Sequence, residues 1–559
     1  MLLRGALTCA VLFFLASAPV PAARPPLEYS LAPVFVGGAL SGVDVTVRFS
    51  MSGAGREYIV TPTEWGGATN LDRNIENLAA DLPATLAPDP KDAGVRILTA
   101  PPWSAVALHY RVEQRWPGTL TNPDYYKPVF SPDYFYSTGA GFWVYPSGRS
   151  HYVRVSWKAV PPGNYGTCLG LNRQSAAATL NDAQLQNCEL FGGDFRIQTS
   201  SVAGHGISTV VRGQWSADDT QILSFVTRIV ADERRFWNDY AFSNFFVTVF
   251  PTQEQLGSSG GTSLTNSFAM FFPPGTPFGD DIRHLVAHEQ FHTWLPGKLF
   301  ELMEPEANEY WFSEGFTDYY SYKVLAATGL LSPSHYAAGL NKRIAAYYLS
   351  PYRNLTNAQL AKQFFDEPVG EIDYRRGELL AYRWNQQLRE MNRAKLDLDT
   401  VMRSMLHRNG PLPVVDTAGI VKRFAPYLGA QAAADVRRYI ARGETLVPPA
   451  ALFEPCATLG WETRYLFDAG FDFVKSGRSG ALTGVDPNGP AYRAGLRDGQ
   501  RFTREGILRG DVEHPVKVTL TDPPARTIVF LPRGKAVAVP QYLLPAPAAS
   551  FDACMAGRL

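Results

Sequence analysis

Hydrophobic and polar residues alternate in several runs of the first third of the chain. Residues 43–49, which read VDVTVRF, alternate strictly, and the same period of two returns around Leu108 and around Val155. Successive side chains of a β-strand point to opposite faces, so this period predicts half-buried strands. Proline, glycine and tyrosine fill the intervals, as in long loops. We therefore expect an antiparallel, sandwich-like β domain over residues 24–200.

The pattern changes after residue 200. One strand-like run, FFVTVF at residues 245–250, is followed by segments whose apolar residues recur every three or four positions, up to about residue 450. This spacing predicts amphipathic helices. We expect a second, mainly helical domain over residues 201–450, with a small sheet ahead of its helices.

One of these predicted helices contains the run His288-Glu289-Gln290-Phe291-His292. In a helix the two histidines lie one turn apart on one face, so both imidazoles can bind one metal ion. Glu289 then lies beside the ion, where a carboxylate can take the proton of a water held there. The alternative interpretation is that this spacing occurs by chance. The residues around the motif distinguish a metal site from a chance match.

Catalytic zinc usually has three protein ligands, so a third is needed. The metzincin spacing fails, because Leu295 and Lys298 stand where that class has Gly and His. Glu314 lies among aromatic residues at the start of a second predicted helix, where an unpaired carboxylate is costly, and is the predicted third ligand. Asp318, four residues later, is predicted to fix the tautomer of a ligating histidine. His284 would reach the ion poorly.

The runs HEQFHTW at 288–294 and WFSEGFTDYY at 311–320 resemble the glycyl aminopeptidase family of zinc metallopeptidases, within the glutamate-zincin group. The resemblance implies a multidomain α+β fold with an N-terminal β domain, a thermolysin-like, mainly helical catalytic domain and a C-terminal PDZ domain. It also implies one Zn²⁺ per chain. Tyr374, shortly before Gly377, occupies the place of a family tyrosine whose hydroxyl assists the oxyanion. A plain interfacial tyrosine is the alternative.

One segment departs from the family pattern. Relatives carry a Gly-Gly-x-Glu type segment upstream of the zinc helix, whose strand lines the substrate and whose acid holds a free amino terminus. This chain has Gly260 and Gly261 but Ser263 in place of the acid. Backbone pairing with an extended peptide is still expected, whereas recognition of the ammonium group falls to another acid, between Glu301 and Glu309, or is lost.

Charge and length bound the remaining possibilities. The 559 residues suffice for about three domains. Lysine plus arginine and aspartate plus glutamate each total 52, with no basic cluster, which argues against nucleic acid as a partner. Residues 1–23 carry one arginine, an apolar run and a small-residue end, as in a secretory signal peptide. No later stretch is apolar and long enough to span a bilayer, so we expect a periplasmic or secreted protein.

Four cysteines follow the leader, and an oxidising compartment favours two disulfides. The sequence alone permits three pairings of four cysteines. Cys168 with Cys188 would close a short local loop, and Cys456 with Cys554 would brace the last domain. We favour this arrangement over a metal site, which would need closer spacing.

The last part of the chain, residues 455–545, is predicted to be PDZ-like. Residues 485–499, VDPNGPAYRAGLRDG, resemble the PDZ turn, short helix and Gly-Leu-x-x-Gly step, and residues 470–473 would be a degenerate carboxylate-binding loop ahead of a peptide-pairing strand. This groove would bind a peptide ligand, or the domain would only pack on the catalytic part. Residues 546–559 are predicted to be an extended C-terminal tail.

Together these features predict a zinc-dependent peptidase. The family resemblance implies an aminopeptidase that releases glycine or alanine from peptide or protein substrates. Two alternatives stay open. One is a zinc endopeptidase that does not read the amino terminus. The other is an inactive peptide-binding secretory protein, against which the intact Glu289 argues, since a structural zinc site has no use for a base.

Overall fold

The computed structural model describes residues 26–117, 124–148, 150–242, 244–252, 260–364, 368–391, 395–406, 410–505 and 510–558. The predicted signal peptide lies outside the described residues. Within them, no helix has both the length and the apolar character needed to cross a membrane.

The N-terminal part is built from β-strands, as predicted. In its six-stranded sheet, Val43, Val45 and Val47 are buried while Asp44 is exposed, which is the alternation of the sequence. The strands of this sheet, in spatial order, are Ser175–Leu180, His151–Trp157, Leu27–Val36, Ala39–Ser50, Ala105–Glu113 and Ile75–Ala80. The strand Leu27–Val36 pairs parallel with His151–Trp157, and the other neighbours are antiparallel.

Smaller sheets and short helices complete the N-terminal part. A four-stranded sheet contains Tyr145–Pro146, Arg56–Val60, Val95–Thr99 and Thr85–Pro88. A five-stranded sheet contains Val129–Ser131, Tyr134–Ser137, Leu190–Gly193, Asn164–Thr167 and Gly170–Leu171. A hairpin and four short helices are Glu64–Trp65 with Ala68–Thr69, Leu71–Asn74, Asp124–Tyr126, Gly139–Gly141 and Asp182–Gln186. One hydrophobic cluster joins the three sheets and encloses the predicted disulfide Cys168–Cys188.

The next part begins with another five-stranded sheet, ordered Arg196–Val202, His205–Val211, Asn244–Pro251, Ser267–Phe272 and Gly260–Leu264. Its first strand starts before residue 200, so the predicted boundary falls inside a strand of this sheet. The edge strand Gly260–Leu264 pairs antiparallel with Ser267–Phe272. Phe246, Phe250 and Phe271 from this sheet share a cluster with Tyr125 and Phe191, which attaches the N-terminal part to it.

Helices cover the other face of this sheet and continue the largest hydrophobic cluster. They are Asp219–Trp237, Asp280–Phe291, Tyr310–Ala327, Pro333–Leu349, Asn357–Ala361, Glu371–Met391, Leu398–Ser404, Thr417–Leu428 and Ala430–Asp435, with a π-turn at Val436–Ala441 and a 3₁₀ turn at Glu306–Asn308. A two-stranded pair, Glu301–Leu302 with Val414–Val415, closes the region.

The C-terminal part has two units with different cores. The antiparallel strands Thr458–Phe467 and Arg533–Leu543 pack on the helix Pro333–Leu349 and join the largest hydrophobic cluster through Val539 and Tyr542. Between them lies a small core with the strands Phe502–Glu505, Val516–Leu520 and Arg526–Phe530 and the helices Phe473–Ser479 and Pro490–Arg493.

Two predictions for this part are wrong. The residues after the predicted carboxylate-binding loop do not form a peptide-pairing strand, because the Asp472 side chain accepts from the Lys475 N–H and caps the helix Phe473–Ser479. The PDZ fold is not confirmed. The tail is not extended either, since Ala548–Met555 is a helix whose Asp552 binds Ser334 and whose Cys554 forms the predicted disulfide with Cys456.

Candidate metal centre and active site

The helix Asp280–Phe291 carries the HExxH motif and begins after an extended Gly279. Asp280 and Asp281 lie in its first turn, where carboxylates complement the positive end of the helix dipole. His292 caps its C-terminal end and keeps helical angles, φ −59° and ψ −18°. His288 and His292 therefore lie one turn apart on the same face, as the sequence predicts.

The predicted zinc ligands converge. Nε2 of His288 lies 3.1 Å from Nε2 of His292 and 3.1 Å from Oε2 of Glu314, and the third side of this triangle, from His292 to Glu314, measures 3.4 Å. Glu314 comes from the helix Tyr310–Ala327, which packs against the HExxH helix. Three donor atoms from two helices thus point at one centre.

This triangle fits Zn²⁺. A tetrahedral zinc with bonds of about 2.0–2.1 Å places its ligand atoms about 3.3–3.4 Å apart, close to the three measured separations. Two imidazole nitrogens that both present lone pairs repel each other at 3.1 Å, and a cation between them turns this repulsion into attraction. The donor set of two imidazoles and one carboxylate is that of a catalytic zinc site with an open fourth position.

Asp318 contacts His288 at the ring nitrogen that does not face the triangle. Its Oδ1 lies 3.0 Å from Nδ1 of His288, and its Oδ2 accepts a hydrogen bond of 3.0 Å from Nη1 of Arg375. Arg375 also pairs with Glu371 one turn earlier on its own helix. A carboxylate at Nδ1 keeps the proton on that nitrogen and leaves Nε2 free for the metal, the role that the sequence suggested for Asp318.

His284 lies outside the triangle. Its Nε2 is 3.1 Å from the same Oδ1 of Asp318, and its ring stacks on Tyr322 with centroids 3.7 Å apart. Burial lowers the pKa of His284 to about 4, so the ring is neutral at physiological pH. The poor reach expected for His284 matches this position on the Nδ1 side of His288.

Two glycines set how closely the Glu314 helix and the helix Glu371–Met391 approach each other. A Cβ atom built on Gly377 would lie 1.8 Å from the carbonyl oxygen of Trp311 and 2.8 Å from Cα of Gly315. Only glycine allows backbones to pass at this distance. The crossing places Tyr374, one turn before Gly377, over the zinc triangle.

Tyr374 lies at the metal site itself. Its ring stacks near that of His288, with centroids 5.8 Å apart, and its hydroxyl is within hydrogen-bond reach of Glu314. Burial raises the pKa of Tyr374 well above its usual value, and the negative charges of Glu314 and Asp318 raise it further. The hydroxyl therefore keeps its proton at neutral pH and can donate a hydrogen bond.

Glu289 is buried beside the edge strand Gly260–Leu264. The backbone N–H of Ser263 donates to its carboxylate. Burial raises the pKa of Glu289, while His292 and His288 act in the opposite direction. A raised pKa makes the protonated form of the carboxyl group easier to reach, which suits a group that accepts a proton and later returns it.

Of the two glycines Gly260 and Gly261, only Gly261 is required to be glycine by the space around it. A Cβ atom on Gly261 would lie 3.1 Å from Cγ and 3.2 Å from Oε1 of Glu289, whereas one on Gly260 would meet open space. Any side chain at 261 would displace the carboxylate. Of the predicted substrate-binding residues, Gly261 and Ser263 thus contact the predicted base, whereas Gly260 lies on the same edge strand without such a contact.

Several residues of the site were not predicted. Arg375 is the partner of Asp318, and the only sequence signal for it is its place next to Tyr374. Tyr126, from the N-terminal part, donates to the carbonyl of Gly261 across 3.3 Å. No local pattern marks Tyr126. Glu306, by contrast, belongs to the acids between Glu301 and Glu309 that the sequence offered for the ammonium group; it lies at the exposed rim, where partial burial, and then the charges of Glu304 and Glu314, raise its pKa.

Comparison with known proteins bears on the family resemblance. Residues 281–367 match the M61 glycyl aminopeptidase family. This match confirms the predicted resemblance over the segment that contains the HExxH motif and Glu314, and it supports a zinc metallopeptidase. No curated protein matches the chain significantly.

Solved structures show the fold. An aminopeptidase N family protein from Idiomarina loihiensis is 16% identical and superposes with a TM-score of 0.69 over 94% of this chain and 99% of its own. This likeness supports the multidomain α+β fold with a β-rich N-terminal domain and a helical domain. An M1 zinc metallopeptidase from Deinococcus radiodurans is 16% identical over 76% of this chain and 96% of its own, with a TM-score of 0.46. Leukotriene A4 hydrolase from yeast, in complex with bestatin, is 12% identical over 76% of this chain and 68% of its own, with a TM-score of 0.47. The last two likenesses are too weak to carry an argument.

Proposed function

We propose that the chain is an aminopeptidase with one Zn²⁺, bound by His288, His292 and Glu314. The observation that carries this proposal is the triangle of three donor atoms, 3.1 to 3.4 Å apart, with the buried carboxylate of Glu289 on the adjoining residue. A structural zinc site needs four protein ligands and no neighbouring base. A three-ligand site beside a base is suited to hydrolysis.

Zn²⁺ in this position would polarise the scissile carbonyl and lower the pKa of a water. Glu289 accepts the proton of the attacking water and later returns it to the leaving amine. The raised pKa of Glu289 suits both steps, because the carboxylate binds a proton more readily and the protonated group can then donate it. The Ser263 N–H and the close fit against Gly261 hold the carboxylate in place.

Tyr374 supplies the second group for the transition state. Its protonated hydroxyl donates to the oxygen on which negative charge develops. Asp318 fixes the ring of His288, so that Nε2 stays directed at the metal. The crossing at Gly377 and Gly315 keeps the hydroxyl and the zinc ligands in one rigid arrangement.

The amino terminus of the substrate needs a negative partner, and Ser263 cannot supply it. We propose that Glu306, with Glu304, takes this role at the rim of the site. Burial raises the pKa of Glu306, and the neighbouring charge of Glu304 raises it further, so this end of the cleft has an excess of negative charge. An ammonium group would offset that excess, which favours aminopeptidase over endopeptidase action.

Blocking the amino terminus separates these two modes. Peptides beginning with glycine or alanine are incubated in free and N-acetylated form, with a chelator-treated control, and cleavage sites are read by mass spectrometry. We expect release of the first residue from free peptides only. Internal cleavage of acetylated peptides would establish the endopeptidase alternative, and zinc binding without any cleavage would establish the inactive binding protein.

We also propose a periplasmic or secreted location. The leader-like residues 1–23 and the two disulfides, Cys168–Cys188 and Cys456–Cys554, support it. N-terminal sequencing of the exported protein tests it, with a mature end near residue 24 as the expected result.

A further inference from the structure

Tyr126 is a residue of the N-terminal β domain that reaches the active site of the catalytic domain. It ends the short helix Asp124–Tyr126, and its own carbonyl accepts a hydrogen bond of 2.7 Å from the Thr138 hydroxyl. Its side-chain hydroxyl donates to the carbonyl of Gly261, 135 residues away in the sequence. Hydrogen bonds thus hold both the backbone of Tyr126 and the tip of its side chain.

The ring of Tyr126 has little room to move. It meets Trp65 edge to face with centroids 5.2 Å apart, and Phe271 at 6.1 Å. Gly66 lies on its other side, where an added Cβ would be 3.1 Å from Cδ2 of the ring. Fixed aromatic groups of this kind form a wall rather than an adaptable surface.

This wall stands at the reacting end of the cleft. Gly261, which Tyr126 binds, is the residue whose added Cβ would touch the Glu289 side chain. The Tyr126 hydroxyl is therefore separated from the Glu289 side chain by Gly261 alone. Burial raises the pKa of Tyr126, and the negative charges of Glu289 and Glu314 raise it further. The Glu314 side is the acidic end to which we assign the substrate ammonium. With the ammonium group at that end, the ring would flank the first residue of a peptide and not its second.

We propose that Tyr126 determines substrate specificity by limiting the size of the first side chain of the substrate. This inference rests on the proposed aminopeptidase function. A fixed ring beside the carbon that carries this side chain leaves space for hydrogen or methyl and excludes larger groups. The β domain thereby contributes to substrate selection as well as to support of the catalytic domain.

The test uses the full-length zinc-loaded protein and two peptide series, X-Gly-Gly and Gly-X-Gly, with X as Gly, Ala, Leu or Phe. Tyr126→Ala is expected to raise kcat/KM for Leu-Gly-Gly relative to Gly-Gly-Gly by about tenfold or more, the order of effect of methylene-sized changes in a pocket. Tyr126→Phe keeps the ring and should keep the preference for small residues. Tyr152→Ala, at a half-exposed tyrosine on an N-terminal strand, is the matched control and should change nothing.

The outcomes are distinct. Unchanged ratios in Tyr126→Ala overturn the inference, as does broadening in the Gly-X-Gly series alone, which would place the ring at the second residue. Tyr126→Leu, which keeps apolar contacts with Trp65 and Phe271, decides the question if Tyr126→Ala does not fold. Absence of hydrolysis by the wild-type protein on both series would instead show that the proposed function is wrong.

Discussion

Replacing Gly377 with alanine tests whether the helix crossing positions the catalytic groups. The added methyl carbon would lie 1.8 Å from the carbonyl oxygen of Trp311, and 2.8 Å from Cα of Gly315. Both neighbours are backbone atoms that cannot rotate away. Non-bonded atoms need about 3.5 Å, so the two helices must separate by roughly 1.7 Å to relieve the contact with the Trp311 oxygen.

This displacement acts directly on catalysis, because Glu314 adjoins Gly315 and Tyr374 is one turn from Gly377. A shift of about 1 Å can cost about 100-fold in rate, so we expect kcat/KM for a glycyl peptide to fall about 100-fold. Overpacking costs about 1–3 kcal/mol. Alanine in a helix recovers about 1 kcal/mol relative to glycine, so most of the protein should stay folded.

The assay combines kcat/KM, zinc content and thermal unfolding. Gly339→Ala is the matched control, since it lies inside the helix Pro333–Leu349 and its Cβ would meet one side-chain atom, Nη1 of Arg343 at 3.1 Å, and no backbone atom of another element that the structure describes. It should keep wild-type activity. Wild-type kcat/KM in a folded Gly377→Ala protein would refute the reasoning that this crossing sets the site geometry.

Two further predictions concern a hydroxyl and a buried acid. Tyr374→Phe should lower kcat about 100- to 1000-fold with little change in KM, measured by steady-state kinetics, and an unchanged kcat would remove Tyr374 from the mechanism. Burial raises the pKa of Glu189 from 4.5 to about 7, partly opposed by hydrogen bonds from Ser267 and Thr248. The folded state then holds a proton that the unfolded chain has released, so stability falls as pH rises from 4.5 to 7 and levels off above. Glu189→Gln should abolish this fall, of order 3 kcal/mol, in denaturation at pH 5 and pH 8, and a persisting fall would assign it elsewhere.

The convergence of His288, His292 and Glu314 could largely be predicted because its signals are local in the sequence. His288 and His292 share one helix turn, and Glu314 and Asp318 share another, so each pair follows from helix periodicity alone. The alternation of residues 43–49 predicted its strand for the same reason. Only the approach of the two helices lies beyond the sequence, and the structure supplies it.

The contacts between distant segments could not be predicted. Tyr126 meets Gly261 only because the cluster of Tyr125 and Phe271 joins two separately predicted domains. Nothing within a few residues of Tyr126 marks it. The chain has 26 tyrosines, so residue type alone does not distinguish Tyr126 from the others.

The helix Phe473–Ser479, at which a strand was predicted, is marked in the sequence by its capping residues. Asp472 stands where a helix N-cap is expected, and Gly480 ends the helix in the left-handed region with φ +69°. These two capping residues indicate a helix, whereas the PDZ resemblance implies a strand at the same place. Local capping chemistry decides the structure of this short segment.

The central claim is that Glu289 is the base of a three-ligand zinc site. Glu289→Gln keeps the size and burial of the side chain but cannot accept a proton, so zinc content is measured together with turnover of a glycyl peptide. The account predicts one equivalent of zinc bound and kcat lowered about 100- to 10,000-fold. Full turnover in the zinc-loaded Glu289→Gln protein would contradict it.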